Sequence, residues 1–252
     1  MTLAAVHGKG TKVYLDEFDL SAYFQSADIS ATLDTAETTG FGATAKTFIQ
    51  GLADASISLG GMWSADTDGS DEELAALLAN ATSPILSIPT GAGVIGGGVW
   101  IAQANETSYN ISTPVVDIAA VSADFQCSPN TTANLTLGAA AGKQLTKGDS
   151  IAFGAVGAQT SVDNAAGTTA GGFALLHVPT NTIGGGTTTW KIEHSTNDST
   201  WADLLTFTAV AAATASSELI AVAGTVNRYI RASSTTAGSS GSITSMVSFA
   251  RF

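Results

Sequence analysis

A mainly β fold is what this sequence predicts: a β-sandwich or barrel domain flanked by one short helix, followed by a second β-sandwich domain. Three observations predict it. Charged residues make up only 12% of the 252-residue chain, about half the usual share, and Thr, Ser, Ala and Gly fill the deficit. That mixture suits half-buried strands and turns better than helices. Segment after segment alternates apolar and polar residues with the period of a strand. Clusters of turn residues then separate those segments at regular intervals, as in a sandwich.

The elements follow in chain order. "TKVYLD" and "SADISATLD" read as strands, and so does "ADASISLGG". Between the last two lies "TAETTGFGATAKTFIQG", Thr35 to Gly51, a polar, Gly-punctuated connection. A connection of that length inside a compact domain is usually functional or disordered. "DEELAALLANA" is the helix, expected near 71–81. Ser70 and Glu73 fit a capping box, and Asp71 and Glu72 sit where a helix dipole favours anions. Leu74, Leu77 and Leu78 share one face, and Pro84 fits the end. "GVWIAQA" and "VVDIAAVSADFQ" continue the strands after a turn at "TGAGVIGGG". The composition then becomes small and polar from Ser128 to Ser150. We expect a first domain over 1–130, a boundary segment over 131–150 and a C-terminal sandwich over 151–252. The strands of that sandwich are "GGFALLHV", "TTWKIEHS", "ADLLTFTA", "SELIAVAG", "NRYIRASS" and "SITSMVSFAR".

The charge is unevenly placed. Up to Cys127 there are 15 acids and 3 bases (Lys9, Lys12, Lys46), a net of 3 − 15 = −12; from Ser128 on, 6 acids meet 6 bases. The first half contains no Arg. Such a surface repels a phosphate backbone and cannot hold nucleic acid by counterion release. Cys127 is the single cysteine, so no internal disulfide or Cys-based zinc site can form, and a small buried hydrophobe is expected there. The N-terminal stretch lacks a basic-plus-apolar secretory pattern, and no apolar run approaches the ~18 residues of a membrane span. We expect a protein made in the cytoplasm with no membrane role.

Chemistry-bearing motifs fail one by one. Gly91, Gly93 and Gly96 match G-x-G-x-x-G, but Pro89 precedes them and a strand follows, where a dinucleotide site needs a helix N-terminus. "GAAAGKQLTKG" is a residue short of a P-loop, and Gln144 stands where its hydroxyl should be. "DTDGSDEE" has an EF-hand flavour, but Gly69 is out of register and the distal Glu is missing; a weak Ca²⁺ site is the most it suggests. His7, His177 and His194 form no local metal pair. No G-x-S-x-G elbow occurs. We expect no catalytic residues, no metal and no cofactor, and not an enzyme. N-x-[S/T] sequons at Asn80, Asn105, Asn110, Asn130, Asn134 and Asn197 read as a by-product of the Thr and Ser content.

The "DLSAYF" segment, the strand after it, the Thr-rich "TAETTGFG", the strand "GLADASISLGG" and the acidic helix that follows together carry a resemblance. Over roughly residues 10–127 the chain resembles the major tail tube protein of long, non-contractile-tailed (siphovirus-type) bacteriophages. The second half is similar, less specifically, to β-sandwich segments appended to phage virion proteins. The resemblance implies a homo-oligomer: subunits join sheets into rings, usually hexameric, which stack into a hollow tube in the virion tail alongside other tail proteins, and DNA passes through without specific binding. It implies that Thr35–Gly51 is an arm reaching a neighbour. Phe41 and Phe48 would be its anchors, with Glu37 and Lys46 as polar partners; the alternative is that both Phe side chains fold back into their own core. Other readings are a capsid-decorating or other accessory virion protein, or a carbohydrate-binding module using Trp190, Trp201, Phe207 and Tyr229.

Overall fold

The structure, a computed structural model, describes residues 7–78, 82–90, 93–129 and 137–252. The first half carries β1 (Tyr14–Leu15), β2 (Phe18–Asp19), β3 (Phe24–Glu37), β4 (Phe48–Met62), the helix α1 (Ser70–Leu77), β5 (Ile85–Pro89), β6 (Gly98–Ser112) and β7 (Ala120–Cys127). After it come β8 (Ala139–Gln144), β9 (Ser150–Ala152), β10 (Val162–Asp163), β11 (Gly172–Asn181), β12 (Thr187–Ser195) and β13 (Ala202–Thr206). The chain ends with β14 (Val210–Ala211), β15 (Ser216–Val222), β16 (Tyr229–Ala237) and β17 (Ser242–Arg251). The fold is mainly β with a single α-helix among the described residues, and the described sheets are antiparallel.

One sheet runs through both halves in the order β15-β11-β17-β8-β6-β5-β1-β2. The stretch expected as a boundary thus carries β8, which pairs with β6 on one side and β17 on the other. The sheet curls until β2 meets β11 and β5 meets β15. Tyr14, Ile85, Val99, Ile101, Phe173 and Leu175 fill the hollow of the curl. His177 ties it shut: its Nδ1 lies 2.5 Å from the Asp16 carbonyl oxygen, and its Nε2 is 2.8 Å from the Ser87 hydroxyl. Tyr14 stacks on the same ring. Because β11 is buried on both faces, "FALLHV" is an unbroken apolar run rather than an alternating one. Its other face meets a five-stranded sheet, β10-β16-β12-β13 with β14 beside β12, around Trp190, Ile192, Ile230 and Phe249. These two sheets pack face to face across that core.

The helix departs from its expected cap. α1 is capped by Gly69, with no side-chain hydrogen bond from that position. Ser70 is instead fully buried; its Oγ accepts the Ser64 N–H and donates to the Met62 carbonyl, each at 3.0 Å. A residue one place earlier takes the cap because a Cβ at position 69 would lie 2.6 Å from the Asp66 oxygen, so only Gly lets the chain enter there. Glu72 still reaches back, accepting the Asp68 N–H at 3.1 Å. Leu74 is buried and Leu77 half-buried, whereas Leu78 is exposed at the C-cap; residues 79–81 of the expected helix lie outside the described residues. Cys127 is buried at the end of β7, and burial pushes its thiol up to about 11.

Candidate assembly surface

Thr35–Gly51 is not a long loop. β3 and β4 continue as a paired hairpin to Glu37 opposite Phe48, leaving only Thr38–Thr47 as the tip. Threonine makes the extension possible: it favours extended backbone and can clamp a turn through its hydroxyl. The Thr38 N–H donates to the Thr47 carbonyl at 2.8 Å, and the Thr47 N–H to Thr39 Oγ1 at 3.1 Å. Gly42, with φ of 86°, turns the tip. From Phe48 to Asp54, β4 has no strand partner other than β3 among the described residues, and every residue there is exposed. At ~3.3 Å per residue the hairpin overhangs the sheet by about 20 Å before the tip is counted.

All four residues expected on an arm are in this hairpin. Glu37 and Phe48 face each other across its last rung, and the Lys46 Nζ sits 3.0 Å from the Glu37 carboxylate. Phe41, at 113% relative exposure, stands clear at the tip; Phe48 is more than half exposed. Neither ring is in the core.

Behind the hairpin, β3, β4, β7 and β6 form four consecutive antiparallel strands. Cross-strand partners point to the same side of a sheet, so the register sorts two faces. One face is apolar: Ile29, Ile57 and Phe125 make one row, and Ala27, Leu59, Ala123 and Tyr109 the next, with α1 packed over the β6 and β7 end. The other face contains no apolar side chain larger than methyl in its central rows. Ser30, Ser56, Gln126 and Asn105 form one; Asp28, Ser58, Asp124 and Ser108 the second; Ser26, Gly60, Ser122 and Asn110 the third, with Thr32 and Asp54 beside them. Asp28, Asp54 and Asp124 have no Lys or Arg among these rows. Ser58 (2.6 Å) and Ser108 (2.7 Å) donate to Asp124 and hold its carboxyl below the usual range. Gln126 donates to Asp54. The result is a hydrogen-bonded, anionic, water-facing surface.

Both edges of this four-stranded sheet are open among the described residues. β3 pairs only with β4. β6 pairs with β5 as far as Gln103, but Glu106–Ser112 pair only with β7. The outer edge of β3 borders a cleft of about 650 Å³ lined by His7, Lys9, Thr11, Phe24, Gln25 and Asp28. Open edges of this length are templates for another strand unless something covers them.

At the end of the sheet opposite the arm, the β6–β7 turn carries the other apolar cluster. Val115 and Val116 are essentially fully exposed, with Ile118 and Ile111 half exposed beside them. The sequence reading missed this turn because "VVDIAAVSADFQ" alternates as one strand, whereas the strand begins at Ala120. Pro114 marks the break and was the available signal.

The remaining candidates lead elsewhere. Asp68, Glu72 and Glu73 bring carboxylate oxygens within 4.8 Å of one another at the start of α1, where the helix dipole already favours anions. Of the G-x-G-x-x-G match, Gly91 lies outside the described residues; Gly93 and Gly96 have positive φ in a turn leading into β6. The P-loop look-alike is β8. Trp190 and Phe207 are core residues; Trp201 and Tyr229 each have a guanidinium over the ring, Arg231 at 4.1 Å and Arg228 at 4.9 Å. Of the sequons, Asn105 and Asn110 are on the polar sheet face, Asn197 accepts the Thr200 N–H in its own turn, and Asn80, Asn130 and Asn134 lie outside the described residues.

No family model and no curated protein matches the chain. Solved structures similar to it include a chain from the virion of a native gene transfer agent particle, with 19% identity and a TM-score of 0.43, covering 50% of this chain and 96% of that one. Another is from the tail of an empty gene transfer agent particle with C6 symmetry, with 16% identity, a TM-score of 0.42 and the same coverage. A third is from the sheath/tube terminator of an extracellular contractile injection system, PVC, in its extended state, with 15% identity, a TM-score of 0.43, and 51% and 96% covered. Likeness this distant assigns no function. Since a contractile system is among the matches, they also do not single out the non-contractile type.

Proposed function

We propose that this chain is a structural virion subunit that joins copies of itself into rings and stacks them as a hollow phage-type tail tube. The observation that carries the reading is the four-stranded sheet with two open edges, one apolar face covered by its own fold, and one face of hydroxyls, amides and aspartates. An even number of alternating strands matters: β3 and β6 run in opposite directions, so β6 of one copy can take β3 of the next as an antiparallel neighbour, and the pattern repeats around a ring. Ring closure would remove both edges.

The polar face is the side we assign to the lumen, with Asp28, Asp54 and Asp124 repelling the phosphates of passing DNA. The sequence resemblance implies six copies and a long, non-contractile tail. Six copies of four strands give about 24 strands, and at ~4.8 Å between strands the backbone circle would be about 37 Å across. Subtracting ~5 Å of side chain on each side leaves room for a duplex. The arm, with Phe41 and Phe48 as anchors and the Glu37–Lys46 pair beside them, would reach a neighbouring copy. The C-terminal sandwich, whose charges nearly balance, would stand outside the wall. Synthesis in the host cytoplasm and contact with other tail proteins complete the reading.

The test is the oligomeric state of purified protein against concentration, by sedimentation and negative-stain imaging. Rings or tubes that grow with concentration are expected. A monomer at every concentration would defeat the proposal.

A further inference from the structure

Most of the exposed large apolar side chains among the described residues fall in two groups. Leu33, Phe41, Phe48, Ile49 and Leu52 are on the β3–β4 arm, and Ile111, Val115, Val116 and Ile118 are at the β6–β7 turn; Leu78, Val94 and Phe252 stand singly elsewhere. The two groups occupy opposite ends of the same sheet, because Met62, at the far end of β4, pairs with Ala120 at the start of β7. Along β4 the separation from Phe48 to Met62 is about 45 Å. They cannot cover each other within one subunit. A second copy displaced along the strand direction brings one group onto the other.

We infer that the β6–β7 turn, residues 113–119, is the seat on which the arm of the next copy docks. The partner is thus a second copy of this chain, and the contact is heterologous: arm on turn, never arm on arm. Two features favour that occupant. Each end supplies an apolar cluster of similar extent, and patches of this kind rimmed by polar residues mark interaction sites. Charge allows the contact as well: Asp117 is the one charged residue of the turn, and Lys46, the one cation of the arm, stays exposed beside its partner Glu37 and can approach a second carboxylate. A heterologous contact that does not close on itself propagates, which is what growth in length requires. The inference rests on the tube reading and adds the identity of the surface that receives the arm.

The test pairs a disruptive variant with a cross-link. Val115→Asp with Val116→Asp alters two side chains that touch nothing in the subunit, so the monomer should fold unchanged, as near-UV circular dichroism would verify. Tube growth should need at least about tenfold more protein, while rings built through the sheet edges persist. Mixing the single variants Phe41→Cys and Val115→Cys under mild oxidation should give a covalent heterodimer; Cys127 is buried and serves as the silent background. Wild-type tubes together with unchanged tubes from the double variant, or wild-type tubes without the cross-link, overturn the inference and leave the tube reading standing. A wild-type chain that never assembles overturns the tube reading itself.

Discussion

Two titratable groups, one buried and one half-buried, bracket the pH range in which this subunit should be stable. His177 is fully buried in the curl of the long sheet, and burial lowers it from 6.5 to about 4. The unfolded chain therefore binds its proton first. The stability that neutral His177 contributes is complete above pH ~6.5 and is lost as pH falls toward ~4, about 3 kcal/mol over that span. A stability curve against pH should show this fall, and His177→Gln, which cannot titrate, should flatten it even if it is less stable throughout. Glu106 works in the opposite direction. It ends the apolar row Ile29–Ile57–Phe125; both its oxygens are inaccessible and have no hydrogen-bond partner among the described residues, and burial raises it to about 7. The contribution of its protonated form is complete below pH ~4.5 and drains away as pH rises through ~7. Glu106→Gln should therefore stabilise the subunit at pH 8 by about 1–2 kcal/mol, less than the full shift because the residue keeps some exposure, and change little near pH 4. Equal melting-temperature gains at both pH values would show that Glu106 is ionised in the folded protein.

Among the elements, the arm carries the clearest expectation. Phe41 and Phe48 contact little within the subunit, so truncating both to Ala should leave a folded, soluble monomer with an unchanged far-UV spectrum. Each ring would contribute roughly 1.5–3 kcal/mol when covered by a neighbour, so assembly should weaken by orders of magnitude. A destabilised monomer with normal assembly would reverse the assignment. This element also marks how far the sequence could be read. The alternation of "SADISATLD" and "ADASISLGG" located β3 and β4, but their continuation through Thr35–Glu37 and Phe48–Gly51 has no buried face, and period-2 patterning fades where both sides meet water. β5 was missed for the opposite reason: all five of its residues are buried, so "ILSIP" does not alternate. β8 was hidden in "AAAGKQ", whose small residues look like a linker but let the Phe249 backbone approach, as a Cβ at Gly142 would lie 2.7 Å from the Phe249 oxygen. The capping pattern points to Ser70 as the N-cap, but Gly69 takes that place and the Ser70 partners, Met62 and Ser64, lie before the helix, where a capping template does not look.

At the scale of the whole molecule, the charge split visible in the sequence acquires a place. Counting charges could not say which acids share a surface; the register of β3, β4, β7 and β6 does, by putting Asp28, Asp54 and Asp124 on one face. Exposed Asp28 and Asp54 can be reversed without disturbing a core; the wild type should give no gel shift at physiological salt, and Asp28→Lys with Asp54→Lys should make the assembled protein retain duplex DNA more strongly than the wild type. Duplex binding by the wild type at micromolar protein would contradict an anionic lumen. The central claim is that the open edges of one four-stranded sheet meet those of its neighbours around a polar hollow. Electron cryomicroscopy of the assembled protein tests it most directly. The account predicts a ring in which β3 of one copy hydrogen-bonds to β6 of the next, with Asp28, Asp54 and Asp124 facing the hollow. An assembly that leaves both edges unpaired, or that turns these aspartates outward, would contradict it.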